Sequence, residues 1–546
     1  MKSPATWPVR TTGCGRIPLR LIRLSRSSLP LPPGPKKLPL LGNALQMPAS
    51  RIWETFHKWS KESGSDIIHL DVLGTSIVVL NSEQATLDLF EKRATIYSSR
   101  PHFVMAGELI GWNFLTPLLP YGEHWRAHRR IFHQEFNATA CRRFRPDQLN
   151  ATHRFLQKLL DSPEQFMRHI RHLAGEVTMS TTYGIQIRPV DDPNIDIAER
   201  AIRTLAKSAA PGKFLVDAVP LLKFYPSFLP GGGFKTLARK WRMLCEAFRD
   251  VAFDTCKQEI STGSARPSFV RSRFMSADGG VVSAAEEQFI RESAASMYAA
   301  GTETTISPIT LFFLLMVLCP EVQKKAQEEI DRSLEPGHLP DFHDEDRLPY
   351  ITAIVKELFR WGSTLPLAVP HLSVEEDVYR GYRIPAGSTV ISNLWGILHD
   401  EAVYPNAAVF WPDRFIKDGK LDKSIKDPLG IAFGIGRRVC PGLSLAFYSV
   451  WIAVASTLAA FEITKTRDQH GNLIEPPLAL EEGIAVSPLP FKCSIKPRTQ
   501  QVEWLIRSAR DDDEYLCMSF SVKVSFQVLV PFSHSDIATM ALLQVV

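Results

Sequence analysis

The chain has 546 residues, 45% of them hydrophobic and 22% charged, with 39 prolines. That is the composition of a globular protein with a large buried core, and it excludes a disordered or collagen-like chain. The net charge is +5, but residues 1–40 hold eight Lys or Arg and no acid, so the rest is slightly acidic and nucleic acid is not an expected partner.

Residues 1–29 form a basic leader rich in Arg, Ser, Thr and Pro. No apolar run of about 18 residues occurs there, so a spanning helix is not expected in it. A transit-like leader, an interfacial basic segment, a start assigned too far upstream and a disordered tail all fit this stretch. The run from Pro30 to Pro35 reads as a stiff hinge, because each proline fixes φ and lacks an amide hydrogen. The body is expected over residues 30–509. Residues 66–80 are β-branched around a central Gly and predict a hairpin. Helical periodicity then dominates to about residue 360. It includes a long apolar helix over 284–318 and a helix opened by Pro320, with Val322, Ala326 and Ile330 at a spacing of four. After residue 364 short strands and Pro/Gly turns take over, as at Val378–Tyr382, and helix returns at 441–461. Residues 510–546, with an acidic cluster at Asp511–Glu514, read as an extension without an assigned role. The expected fold is mainly α with a small β-rich part, in a single large domain.

The eight cysteines are scattered, without a C-x-x-C pair, which argues against a disulfide scaffold and against a structural zinc site. One of them stands out. Phe433-Gly-Ile-Gly436-Arg-Arg438-Val-Cys440-Pro-Gly442 has the composition that a haem-ligating thiolate needs. An anionic sulfur pushes electron density onto iron and favours O–O cleavage, and it must be shielded from water and reached by hydrogen-bond donors. Glycines around Cys440 let backbone amides approach it, and Pro441 can open a helix whose positive end faces the sulfur. Phe433 can pack over the sulfur, and Arg438 can pair with a haem propionate.

Ala300-Gly301-Thr302-Glu303-Thr304-Thr305 lies inside the long apolar helix. Small residues at 299–301 would open a groove for oxygen, and an acid followed by a hydroxyl can relay protons through water. The other reading is a threonine run that bonds back to its own helix carbonyls. Pro308 must strain or kink this helix four residues after Thr304. Glu357-Leu-Phe-Arg360 taken alone is an ordinary i,i+3 ion pair.

Together these segments resemble the cytochrome P-450 superfamily. The segment at 433–442 matches its cysteine signature F-x-x-G-x-R-x-C-x-G at every fixed position, and five motifs follow the family's order over about residues 30–508. The likeness extends to fungal microsomal members of the O-methylsterigmatocystin oxidoreductase type. The resemblance implies haem b as cofactor, with Cys440 as the metal ligand and Phe433, Gly436, Arg438, Gly442, Ala300 and Gly301 around the haem. It implies that Trp125 and Arg129, in the segment Trp125-Arg126-Ala127-His128-Arg129, hold the propionates, with His371 in the basic position after a short strand. Glu303 and Thr304 become the acid–alcohol pair. Glu357, Arg360 and Arg414 of Phe410–Phe415 become a buried structural cluster.

The function expected on this basis is a monooxygenase that inserts one atom of O2 into an apolar organic substrate in secondary or xenobiotic metabolism. An NADPH-dependent flavoprotein reductase would supply electrons, steered by Arg126, Arg129, Arg130, Arg142, Arg143 and Arg145. An oxygen-independent isomerase or dehydratase and a haem sensor or electron carrier are the alternatives. The cytosolic face of the endoplasmic reticulum membrane is the expected location, with the mitochondrion as alternative. Phe224–Pro230 is an apolar loop suited to membrane contact. Substrate-pocket walls are expected from residues 103–119 and 365–369.

Overall fold

The structure is a computed structural model that describes residues 29–209, 213–275, 282–481 and 485–508. The expected leader, apart from its last residue, and the expected extension over 510–546 lie outside the described residues.

The long helices are α1 (Ile52–Ser63), α2 (Glu123–Phe136), α3 (Arg145–Asp161), α4 (Phe166–Tyr183), α5 (Pro193–Ala209), α6 (Gly233–Thr262), α7 (Ala284–Leu318), α8 (Pro320–Ser333), α9 (Pro349–Gly362) and α10 (Leu443–Ala460). Their limits follow local chemistry. Ser283 caps α7 by accepting from the Glu286 amide, and α8 and α9 each open on a proline, whose missing amide hydrogen costs nothing there. α7 runs unbroken through Pro308. It is the axis of the molecule, crossing α4, α6, α9 and α10. α7 and α10 are long and apolar enough to cross a membrane, but both are mostly buried in the body and serve as its core helices.

The expected hairpin forms as β1 (Ile67–Val72) and β2 (Thr75–Leu80), paired from Ile67↔Leu80 to Val72↔Thr75. Leu73 and Gly74 at its tip both have positive φ, the turn whose twist matches antiparallel strands. β3 (His371–Leu372), β4 (Asp377–Tyr379), β5 (Tyr382–Ile384) and β6 (Thr389–Ser392) follow. β6 joins β2 in parallel and β3 in antiparallel register, so one four-stranded sheet has the order β1-β2-β6-β3. This confirms a mainly helical body with a small β part. The proline segment is tied down rather than free as a hinge. The Pro30 carbonyl accepts from Arg383 N and the Pro33 carbonyl from His69 N, both at 2.8 Å.

Two large cores share α7. Its C-terminal half packs with α3, α4, α9 and α10, and its N-terminal half packs with α5, α6 and the segment 104–115. Among the described residues all six cysteines are free thiols.

Glu357 and Arg360 on α9 are fully buried and Arg414 is 7% exposed. Arg360 Nε and Nη2 donate to Glu357 at 2.7 and 2.8 Å, and Arg414 Nε donates to it at 3.1 Å. The remaining guanidinium hydrogens reach the carbonyls of Leu398, Pro405, Asn406, Ala407 and Val409. One carboxylate therefore organises two cations and a long irregular segment. On the same helix Phe359 packs against Phe433 of the cysteine loop, with ring centroids 5.0 Å apart.

Glu357→Ala strands two buried guanidiniums and is expected to cost about 3–5 kcal/mol. Glu503→Ala, which breaks an exposed pair with Arg507, should cost no more than about 1 kcal/mol. Thermal or denaturant unfolding of the two variants compares them directly, and equal losses would show the α9 cluster to be an ordinary ion pair.

Gly436→Ala is expected to be worse than Gly434→Ala, although both glycines have positive φ. A Cβ at Gly436 would sit 2.3 Å from the Phe90 carbonyl oxygen, whereas at Gly434 the nearest neighbour is 3.9 Å away. The second variant bears only backbone strain of about 1–2 kcal/mol. The first adds a clash with main chain, and its unfolding midpoint should fall further.

Candidate functional site

Cys440 sits on the turn that leads into α10, and its amide donates to the Phe433 carbonyl at 2.8 Å. That bond closes a loop in which Gly436 abuts Phe90. The glycine there serves close packing against the main chain of residues 90–91 rather than approach to the sulfur. Gly442 answers the sulfur directly. Burial pushes the Cys440 thiol up, while the Gly442 backbone N–H and the Arg129 charge pull it down. The residue nonetheless has an accessible surface, unlike the packed core beneath it.

Around this loop the structure gathers cations. Arg129 on α2 donates to the Val439 carbonyl. Arg438 donates from Nε to Ser98 O and from Nη2 to Leu119 O, both at 2.8 Å, and its guanidinium lies 4.3 Å over the Trp125 ring. Its Nη1 is buried without a partner. Burial pushes Arg438 down to about 10, with Tyr121 acting upward and Arg129 downward.

Arg100 completes the group. It is 7% exposed and donates from Nη1 to the Val369 and Pro370 carbonyls, while its Nε has no partner. Burial, then the charge of Arg438, pushes its pKa well below the usual guanidinium range. His371 lies on the edge strand β3, where the neighbouring Leu372 amide bonds to Ser99 O at 3.0 Å, so residues 99 and 372 pair and bring Arg100 to the same end of the sheet. The His371 ring stacks on Phe90 at 3.8 Å, and its Nδ1 donates to Tyr97 O. Burial, Arg100 and Arg438 hold it well below the usual histidine range. Among the described residues no carboxylate pairs with Arg100, Arg129 or Arg438.

Sequence reasoning brought together Trp125, Arg129, His371, Gly436, Arg438, Cys440 and Gly442, and missed Arg100. The signal was slight: an Arg-Pro dipeptide after two serines, with no spacing rule to mark it. Phe433 contributes its carbonyl to the Cys440 amide and its ring to Phe359, in the core between α9 and the loop.

On α7 the expected residues divide between two faces. Ala300 is exposed although the helix on either side is buried, and Thr304, one turn on, is half-buried. These two form the more accessible stripe of this stretch. Thr304 Oγ1 donates to Ala300 O at 2.5 Å, as Thr302, Thr305 and Thr310 do to the carbonyls four residues before them. Back-bonding is therefore the rule along this helix, and the groove reading must accommodate it. Gly301 belongs to another surface. A Cβ there would meet Thr178 Cγ2 of α4 at 2.6 Å, so this glycine admits α4 rather than a cofactor. Glu303 points to α4 and α5. It lines a water-sized cavity of about 10 Å³ with Arg171, Glu199, Tyr298 and Thr302. Burial raises its carboxyl pKa, with Arg171 and Arg203 acting downward and Glu199 and Glu481 upward.

The fit to an iron protoporphyrin is chemical. A porphyrin brings two propionate carboxylates, and buried guanidiniums with unfilled donors are what such carboxylates satisfy. A cysteine sulfur with a backbone N–H aimed at it suits thiolate ligation.

The family model described as Cytochrome P450 matches residues 32–495. Cytochrome P450 monooxygenase 98 of Postia placenta is 44% identical over 89% of this chain and 94% of its own length. Cytochrome P450 monooxygenase ple1 of Rhodocybe pseudopiperita is 42% identical over 88% and 91%. Tryptamine 4-monooxygenase of Psilocybe cyanescens is 40% identical over 88% and 95%. These relatives carry the likeness to fungal members of the family, without singling out the O-methylsterigmatocystin oxidoreductase type. With a family match across nearly the whole body, the chain belongs to the cytochrome P450 family and is a haem-thiolate monooxygenase.

Proposed function

We propose that the protein inserts one atom of O2 into a mainly apolar organic substrate of fungal secondary metabolism, with Cys440 as the thiolate ligand of haem iron. The observation that carries this reading is the carboxylate-free set of Arg100, Arg129, His371 and Arg438 around the Cys440 loop. Bound haem supplies the activation of oxygen, and the protein supplies position, charge and protons. Arg100 and Arg438 would hold the propionates through their unfilled guanidinium hydrogens, and Trp125 and Arg129 of α2 would assist them. A carboxylate beside His371 would raise its pKa and reverse the depression that burial and the two arginines impose. The Gly442 N–H bonds to the thiolate and moderates its charge.

Ala300 and Thr304 line the groove, and proton delivery rests on Thr304 and Glu303. The Thr304 hydroxyl donates to Ala300 O and keeps two lone pairs free to accept from water. Glu303, its pKa raised by burial, holds a proton closer to neutral pH than an exposed acid does. One relative is named for tryptamine, an indole bearing an alkylamine chain, and that name supports a small ring-bearing substrate here.

Electrons come from an NADPH-dependent flavoprotein reductase. Arg126, Arg130 and Arg142 are exposed and suited to an acidic partner. Arg145 is not, since its guanidinium lies over the Phe342 and Tyr448 rings, and Arg143 is already paired with Glu135. Association with the cytosolic face of the endoplasmic reticulum membrane is supported by exposed apolar side chains. Phe224 is 72%, Phe228 84% and Leu40 96% exposed. Residues 30–509 act as one catalytic domain, with a basic leader before it and an extension after it.

Cys440→Ala is expected to abolish the ferrous–CO absorption band typical of thiolate ligation, and Cys440→His to retain haem while losing that band. An intact band in Cys440→Ala would remove the assignment of the ligand.

Thr304→Ala removes a hydroxyl and little volume, so haem spectrum and substrate binding should hardly change. Loss of a positioned proton-transfer group typically costs about 10²–10⁴ in rate where that step limits. The expected symptom is uncoupling, with NADPH and O2 consumed and hydrogen peroxide released in place of product. An unchanged ratio of product to NADPH, with Glu303→Gln also silent, would count against proton delivery by this pair.

A further inference from the structure

Away from the cysteine loop, α2 and α7 meet across His124, His128 and Glu292. The two histidines are four residues apart and share a helix face. Their rings lie edge to face, with centroids 4.7 Å apart. His124 Nε2 is 3.4 Å from Glu292 Oε2, and one ligand atom of each of the three residues lies within 4.8 Å of the others. We propose that His124, His128 and Glu292 bind a divalent transition-metal ion of the zinc type, which clamps α2 to α7.

The donor set favours such an ion. Two imidazole nitrogens and one carboxylate oxygen suit zinc and its neighbours, whereas calcium and magnesium take oxygen ligands. His128 is fully buried, and its Nδ1 is held 3.0 Å from Thr116 Oγ1 and 3.2 Å from Ser293 Oγ. Its Nε2 is buried with no partner at all. With the proton on Nδ1, donated to a hydroxyl, Nε2 offers a lone pair, the arrangement in which outer hydrogen bonds orient a metal-bound histidine.

Access and geometry are also in place. The His124 side chain is 54% exposed and Glu292 18%, so an ion can enter from solvent. Zn–N and Zn–O bonds of about 2.0–2.1 Å in a tetrahedron need donors about 3.3 Å apart. His124 and Glu292, 3.4 Å apart, already meet that spacing, and water takes the fourth position. The Phe289 ring packs edge-on against His128 at 4.7 Å and walls one side. The ion would tie the helix carrying Trp125 and Arg129 to the helix carrying Thr304.

A second grouping, His338, Asp341 and Asp344, supplies the control. Its Asp344 already accepts from His338 Nε2 at 3.1 Å, from the Asp341 amide at 3.0 Å and from Arg347 at 3.2 Å.

The experiment titrates the haem-loaded full-length protein, first cleared of loose metal with a chelator, with Zn2+ against a chromophoric competitor. One tight equivalent is expected. Loss of outer hydrogen-bond partners alone weakens metal binding by 10–100-fold, so His124→Ala and Glu292→Gln, which remove ligands, should weaken it by about 100-fold or more. His338→Ala should leave it unchanged. Zinc should raise the unfolding midpoint of the parent protein and not that of His124→Ala. His124 is largely exposed and Gln preserves the shape of Glu292, so both variants should fold and keep their haem. The proposal is overturned if the parent binds no stoichiometric zinc, if His124→Ala and Glu292→Gln bind it as tightly, or if His338→Ala loses it.

Discussion

Arg100, Arg129, His371 and Arg438 converge on one loop, and no carboxylate among the described residues balances the three guanidiniums. Buried cations in a low dielectric repel one another and lose hydration, so such a group is tolerable only where backbone carbonyls or an anionic ligand answer it. Here carbonyls do part of the work, from Ser98, Leu119, Val369, Pro370 and Val439. Those acceptors come from four separate stretches of chain. The Cys440 loop and the arginines around it are thus tied to several distant segments, while Arg100 Nε and Arg438 Nη1 keep unfilled donors.

The Glu357 cluster shows the opposite condition. Its carboxylate and two guanidiniums are as deeply buried, but their donors and acceptors are matched by one another, by the Trp411 amide and by carbonyls of residues 398–409. A satisfied network of this kind specifies geometry, and through Phe359 against Phe433 that geometry reaches the cysteine loop. One buried charge set organises the scaffold because it is complete. The other defines the site because it is not.

Much of this was legible in the residues. The hairpin, the helix at Ala284–Leu318 and the helix opened by Pro320 appear where periodicity and capping placed them, because these signals are local. The returning helix begins at Leu443 rather than Pro441, since Cys440–Gly442 form the turn that presents the sulfur. Tertiary contacts were less visible. Gly301 looked like part of an oxygen groove, but the side chain it makes room for is Thr178, 123 positions earlier in the chain. Gly436 looked like a means of approach to the sulfur, but it accommodates the Phe90 carbonyl. Arg100 carried no motif at all, and the pairing of Ser99 with Leu372, with its bonds to the Val369 and Pro370 carbonyls, brings it beside His371. A glycine in a motif states that space is needed, and the fold alone says for whom.

The same logic bears on the turn of α7 between Ala300 and Pro308. The Ala300 carbonyl accepts an additional bond from Thr304 Oγ1, which draws on the acceptor that normally serves the helix ladder. Four residues on, the Thr304 carbonyl loses its helical donor altogether, because Pro308 has no amide hydrogen. Two rungs are therefore weakened on the stretch where Ala300 and Thr304 are accessible. Helix continuity survives because the flanking residues are locked in the cores, with Ser307 Oγ bonded to Val486 O at 2.5 Å and Ile306, Ile309 and Phe312 buried. Rigid packing on the outer faces lets the inner face carry a loosened backbone. A loosened backbone leaves carbonyls and a hydroxyl available to water, which is what a proton path beside an apolar pocket requires.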